Sequence, residues 1–160
     1  MMSLHTELGI NPIEYLPHEA VLNIVFTGSL LTKEGDRILK EFGLTDSQFN
    51  VLMLLKYQAK DGVLNQTTLG DMLLVNRSNI TGLIDRLEQA GCVKRTGDSN
   101  DRRVKWVQMT KQGRAVLDRS EEAYYRRVGE IMDGLSGVEC KRVCRAMESI
   151  RGKIRTGEKS

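Results

Sequence analysis

Residues 95 to 106 read RTGDSNDRRVKW. Lys94, Arg95, Arg102, Arg103 and Lys105 surround a small polar tip that includes Asp98, Ser99, Asn100 and Asp101. Cations placed that close repel one another, so the turn calls for an anion outside the chain. Guanidinium groups on such a tip can lie along a phosphate backbone and enter a narrow, electronegative minor groove. The bland alternative is a solvated loop in which Asp98 and Asp101 pair with Arg102 and Arg103, and surface pairs of that kind contribute only about 0–1 kcal/mol. A second set of chemistry-bearing residues stands upstream: Asn76, Arg77, Ser78, Asn79, Thr81, Gly82 and Arg86. Asparagine and arginine read base edges, serine and threonine hold phosphates, and a glycine lets a backbone approach closely. At a helix N-terminus the free N–H groups also favour phosphate. Alone, this set is equally compatible with the solvated first turn of an amphipathic helix.

The charge supports a local patch. The chain has 160 residues and a net charge of +3. Gly91 to Lys105 holds five basic and two acidic residues, also +3, so the remainder sums to zero. A basic patch on a neutral body points to a polyanion better than a raised pI does. The composition, 40% hydrophobic and 28% charged, is ordinary for a globular chain. Three cysteines without a CxxC, and two histidines near the N-terminus, argue against a disulfide framework, a zinc site or any other metal centre. The start lacks the basic and apolar regions of a secretory signal. No apolar run reaches the roughly 20 residues of a membrane helix. A reducing cytoplasm is the expected compartment, with no membrane partner. No glycine-rich phosphate loop, GxSxG or HExxH is present, so no enzyme and no cofactor are expected.

The elements that must position these residues follow from periodicity. A helix is expected from His18 to Phe42, interrupted at Gly28 and Gly35 and ended by Gly43. Thr45 or Asp46 caps a second, carrying Phe49, Leu52, Met53 and Leu55. A short strand, Val63 to Asn65, leads to a third helix capped by Asn65. A tight turn follows, and Asn76 caps a fourth whose Ile80, Leu83, Ile84 and Leu87 are spaced i, i+3, i+4, i+7. Gly91 stops it. Cys92 to Arg95 and Val104 to Met109 form a hairpin around the basic tip. Thr110 caps a long helix to about Met132, and Ser136 caps a last one through Val143, Met147 and Ile150. The fold class is thus mainly α with a small β-hairpin wing (α+β).

The stretch LIDRLEQAGCVKRTGDSNDRRVKWVQMTKQG resembles the signature of MarR-type transcriptional regulators. That family's pattern is D-R-L-E, then G-x-V-x-R, then D-x-x-D-R-R, then L-T-x-x-G. Here these are Asp85 to Glu88, Gly91 to Arg95, Asp98 to Arg103, and Met109 to Gly113, with Met109 in place of the usual leucine. GLTDSQFNVLMLL is similar to the family's second helix, and Leu74 stands where helix-turn-helix proteins often carry glycine. The resemblance implies a homodimeric winged helix-turn-helix. Residues 1-43 and 113-160 would form the dimerisation domain, and residues 44-112 would bind double-stranded DNA. It implies a ligand-responsive repressor on a pseudo-palindromic operator. Asn76, Arg77, Ser78, Asn79, Thr81, Gly82 and Arg86 would form the recognition surface. Lys94, Arg95, Ser99, Asn100, Arg102, Arg103 and Lys105 would form the wing contacts, with Asp98 and Asp101 orienting the wing. It also implies a small lipophilic or phenolic effector where the two parts meet. His18, Met53 and Tyr57 are the weak candidates there, with core packing the plainer role for each.

Two other readings are open. Cys140 and Cys144, at i and i+4, share a face of the last helix and could serve an oxidant-sensing regulator. The family's sensors place that cysteine in the first helix, which has none here, and cysteine as a small core hydrophobe is the plainer role. A winged helix can also be a protein-interaction module, but protein–protein interface cores are depleted in charge of the density seen at the basic turn.

Overall fold

The computed structural model describes residues 3–97 and 104–157. The chain divides into two compact units, residues 1–124 and 125–160. In the first unit come α1 (Leu4–Leu8), α2 (Leu16–Leu39) and a 3-10 turn (Lys40–Phe42). These are followed by α3 (Asp46–Tyr57), β1 (Val63–Asn65), α4 (Gln66–Leu73), α5 (Arg77–Gln89), β2 (Val93–Gly97) and β3 (Lys105–Met109). α6 (Lys111–Ile131) begins in the first unit and ends in the second, which also holds α7 (Gly137–Gly157). No described helix is long and apolar enough to cross a membrane.

The local signals in the sequence act where they stand. Thr45 caps α3 in a full capping box with Gln48. Asn65 accepts from Thr67 N and Asn76 from Asn79 N, so both short helices of the helix-turn-helix are side-chain capped. Ser136 and Glu139 reciprocate at the head of α7, with the Ser136 backbone N donating to Glu139 Oε2 at 2.8 Å. Gly43 and Gly91 take the left-handed conformation that ends a helix.

The first long helix differs from expectation. α2 begins earlier, at Leu16 with Pro17 in its first turn, and runs unbroken through Gly28 and Gly35. Proline is tolerated there because a first-turn N–H has no helical acceptor to lose. Gly35 is not a break but a close approach, since a side chain on it would meet Asp46 Oδ1 at 2.6 Å. The short α1 has too little periodicity to be read from sequence. β1 joins the hairpin as a third strand, in the order β1-β3-β2, antiparallel throughout. The strand itself was expected at these residues; its place beside β3 is what the pairing adds.

The core is a single cluster of Leu39, Phe49, Leu52, Leu69, Ile80, Ile84, Leu87, Val93, Val107 and Leu117 with their neighbours. Phe49 also meets Tyr124, with ring centroids 4.8 Å apart. This core draws on α2 through Leu39 and on α6 through Leu117. The expected boundaries at 43 and 112 therefore run through a shared interior. The turn between α4 and α5 keeps a left-handed residue, Leu74 (φ 53), and leaves that leucine 84% exposed.

Candidate nucleic-acid interface

α5 buries Ile80, Leu83, Ile84 and Leu87, which turns its first two turns outward. Asn76, Arg77, Ser78, Asn79 and Arg86 are exposed, and Thr81 and Gly82 are half-buried. The Asn76 carboxamide oxygen accepts from Asn79 N at 2.9 Å and from the Ser78 hydroxyl at 2.8 Å. That bond fixes Ser78 over the helix N-terminus. Among the described residues no carboxylate pairs with Arg77 or Arg86.

Of the expected recognition residues, Arg77, Ser78, Asn79, Gly82 and Arg86 line two concavities beside α5, and Asn76 and Thr81 line neither. One, about 190 Å³, has Arg77 together with Lys105 of β3 and Gln66 and Thr67 of α4 among its lining. The other, about 260 Å³, is lined by Ser47, Ser78, Asn79, Gly82 and Arg86 among others. Both are polar and lined by cations, Arg77 and Lys105 beside the carboxylate Asp71 in one and Arg86 in the other, which suits an anionic partner. Lys94 and Lys105 are exposed on the hairpin. Asp98, Ser99, Asn100, Asp101, Arg102 and Arg103 lie outside the described residues.

Arg95 is held by groups of the protein itself. It is one of the expected wing residues, and its guanidinium reaches back to α5 and α4. It bonds Asp85 at 2.7 Å and Glu88 at 2.7 Å, and donates to Gln66 Oε1 and Thr81 O at 3.2 Å each. Its own backbone N donates to Glu88 Oε1 at 2.9 Å. The reason is geometric: Asp85 and Glu88 are i, i+3 on α5, and the planar five-donor fork of arginine spans both. The Arg95 backbone N–H and then its guanidinium hold the Glu88 carboxyl below its usual range. The Thr81 hydroxyl is also engaged, donating to Arg77 O at 2.9 Å and accepting from Gln66 Nε2 at 2.9 Å. Sequence reasoning assigned Gln66, Asp85 and Glu88 no role. The visible signal was the Asp85–Glu88 spacing followed by a basic strand.

A second polar cluster joins α3 to α6. Glu121 is buried, accepts from Lys56 Nζ at 2.5 Å and also accepts from the Tyr57 hydroxyl. Asp118 takes a further Lys56 bond at 3.0 Å. Burial pushes the Glu121 carboxyl up, but the Lys56 and Tyr57 hydrogen bonds outweigh it and hold the group below its usual range. The hydrogen bond to Glu121 pushes the Tyr57 phenol up. Met53 and Tyr57 also line a cavity of about 230 Å³ with Leu54, Gln58, Met72 and Leu73. His18 is exposed on α2 and is not brought to it.

Cys92 is buried, and burial pushes its thiol up, away from the reactive thiolate. Cys140 is half-buried and Cys144 exposed. Among the described residues no group of three or more His, Cys, Asp or Glu side chains is placed to hold a metal.

Fold and site together define a winged helix-turn-helix protein: a capped two-helix unit, a polar second helix and a basic antiparallel hairpin behind it. The MarR family model matches residues 42–104, and the chain belongs to that family of helix-turn-helix transcriptional regulators. It is 38% identical over 115 residues to the transcriptional activatory protein BadR of Rhodopseudomonas palustris, a match covering 68% of this chain and 62% of that relative. Two solved structures share the fold. CouR from Rhodococcus jostii RHA1, bound to p-coumaroyl-CoA, has a TM-score of 0.74 and 24% identity over 86% of this chain and 95% of its own. The M. tuberculosis regulator MOSR, in complex with DNA, has a TM-score of 0.72 and 21% identity over 86% and 96%.

Proposed function

We propose that the chain is a cytoplasmic homodimeric repressor that binds a pseudo-palindromic operator in double-stranded DNA and responds to a small effector. The observation that carries the DNA reading is the pair of polar, cation-lined concavities flanking α5, with Arg77 and Lys105 on one and Asn79 and Arg86 on the other. In this reading Asn76, Arg77, Ser78, Asn79, Gly82 and Arg86 form the recognition surface, and α5 enters the major groove. Lys94 and Lys105, with Ser99, Asn100, Arg102 and Arg103, follow the backbone into the flanking minor groove. Asp98 and Asp101 orient the tip. The DNA complex of MOSR, which shares the fold, supports this reading.

Residues 44-112 carry the DNA contacts, and 1-43 with 113-160 carry the dimer. The support is apolar surface left over on both helices: Val21 and Val25 on α2, and Val143, Ile150 and Ile154 on α7, are all exposed in the single chain. α7 has no buried residue at all. Such surface is removed from water most simply by a second copy. Two α5 helices would then sit about one DNA turn apart. The effector is a small lipophilic or phenolic molecule, with Met53 and Tyr57 at the cavity that takes it. The p-coumaroyl-CoA bound to CouR supports that class. Repression is the proposed direction, although BadR carries the name of an activator.

The experiment is a titration of duplex DNA at several salt concentrations. Affinity should fall steeply with salt, because binding releases counterions from the duplex. An affinity flat from low to moderate salt would count against the reading, and a reporter gene behind the selected duplex gives the sign of regulation.

A further inference from the structure

Gln66, the first residue of α4, sits at the centre of a hydrogen-bond network that ties α4 to α5 and β2, two elements proposed to meet DNA. Its Oε1 accepts from Arg95 Nε of β2 at 3.2 Å, and its Nε2 donates to Thr81 Oγ1 of α5 at 2.9 Å. Thr81 passes the connection to Arg77 O at 2.9 Å, at the head of the recognition helix. Arg95 closes the loop by donating to Thr81 O at 3.2 Å, and both of its carboxylate partners, Asp85 and Glu88, are on α5. A side-chain amide fits this place because it offers an acceptor and a donor on adjacent atoms. Arg95 can only donate, so the amide oxygen must face it and the NH₂ must face Thr81. A hydrocarbon serves neither neighbour, and a carboxylate has no proton to give Thr81.

We infer that Gln66 is a positioning residue for sequence discrimination, acting through Thr81 and Arg95 rather than by touching bases. It fixes α5 and the base of the wing against the first helix of the helix-turn-helix. Base readout depends on donors held to hydrogen-bond tolerance, whereas attraction to phosphates survives small displacements. Loosening the network therefore weakens binding to the cognate site more than binding to arbitrary DNA. This rests on the DNA-binding reading proposed above.

The test uses full-length chains carrying Gln66→Met, Gln66→Glu, Thr81→Val and the double substitution Gln66→Met with Thr81→Val. Two duplexes of equal length serve as probes: one selected by the wild-type protein from a random library, and a scrambled version of it. Gln66→Met should lose about tenfold on the selected duplex and less than about twofold on the scrambled one, with thermal melting close to wild type. Gln66→Glu, which keeps the acceptor for Arg95, should fall between wild type and Gln66→Met. The double variant should lose no more than Gln66→Met alone, since both act through one network. A DNA-free arm measures hydrogen exchange. The Arg95 amide, which donates to Glu88 Oε1 at 2.9 Å, should exchange faster in Gln66→Met. Equal losses on both duplexes, additive effects of the two substitutions, or an unchanged exchange rate at Arg95 would overturn the inference. If the wild-type protein selects no duplex, the DNA-binding reading fails, while the exchange arm still decides whether Gln66 holds the wing.

Discussion

Replacing Gly113 with alanine puts a methyl group where the first turn of α6 has no room. The new Cβ would lie 2.0 Å from the Cys92 carbonyl oxygen, 2.8 Å from its carbon and 3.0 Å from its Cα. These are backbone atoms just ahead of β2, and no rotamer change moves them. The same carbonyl is pinned by Thr110 N at 3.0 Å and by Thr110 Oγ1 at 3.1 Å. Relief needs a shift of about 1 Å that separates α6 from β2, given that contacts under 3.0 Å are essentially never tolerated. Overpacking at a rigid site costs about 1–3 kcal/mol. Straining or losing the Thr110 bonds to a partly buried carbonyl costs about 1–3 kcal/mol more. The better helix propensity of alanine offsets about 1 kcal/mol. The net loss is about 3 kcal/mol, which for a chain of this size lowers Tm by about 6–12 °C. Gly129, in the same helix, is the internal control, because a Cβ there meets nothing within 4 Å. Gly129→Ala should gain about 0.5–1 kcal/mol and raise Tm by a few degrees. Thermal unfolding followed by circular dichroism reads both. A Gly113→Ala protein melting at or above wild type would refute the reasoning, because it would show that the Cys92 backbone can yield cheaply.

Four further outcomes follow from the structure and the proposed function. Arg77→Ala or Asn79→Ala should narrow the affinity gap between the selected and scrambled duplexes by about tenfold without changing the fold, as for any lost base contact; an unchanged gap would remove them from the recognition surface. Arg102→Ala with Arg103→Ala should weaken both duplexes alike and flatten the salt slope, read from titrations at several ionic strengths. Removing residues 136–160 should abolish dimerisation and DNA binding together, and sedimentation showing a stable full-length monomer would contradict the proposed assembly. Acid should destabilise the fold through Glu88 and Glu121, whose carboxyls are both held below their usual range. A depressed carboxyl contributes stability above the unfolded value, about 4.3 for glutamate, and loses it as pH falls through the lower folded value. Tm should therefore hold steady from neutral pH to about 5 and drop below about 4, and Glu121→Gln should show a shallower drop.

What the sequence disclosed, and what it withheld, follows from the range of each interaction. Thr45, Asn65, Asn76 and Ser136 were legible as caps because a cap bonds within three residues, so composition and spacing state it in full. The α5 stripe of Ile80, Leu83, Ile84 and Leu87 was legible because one periodicity decides which face is buried. Helix order and the hairpin followed from signals of that kind. What stayed hidden joins residues distant in sequence. Gln66 and Thr81 are 15 apart, Gln66 and Arg95 are 29 apart, and Lys56 and Glu121 are 65 apart. No window contains both ends of such a bond, and glutamine or lysine alone reads as solvated surface.

The internal partners of Arg95 were hidden for the same reason. Sequence shows five cations around one turn but not which of them faces inward, and only the Asp85–Glu88 pair on α5 decides it. Among the described cations of the basic turn, Arg95 pairs with the carboxylates of α5 and ties β2 to it, while Lys94 and Lys105 are exposed. That division sharpens what mutagenesis of the turn should show. Loss of an exposed cation should change affinity and salt dependence on every duplex alike. Loss of Arg95 should leave two carboxylates unpaired on α5, disorder the wing base, and damage discrimination along with affinity. An Arg95→Lys protein keeps the charge but cannot span Asp85, Glu88 and Gln66 with one planar fork. It should resemble the loss of Arg95 in discrimination more than the loss of Lys105, and the ratio of selected to scrambled affinities for the three variants measures this directly. A lysine variant that discriminated as well as wild type would show that Arg95 acts by charge alone.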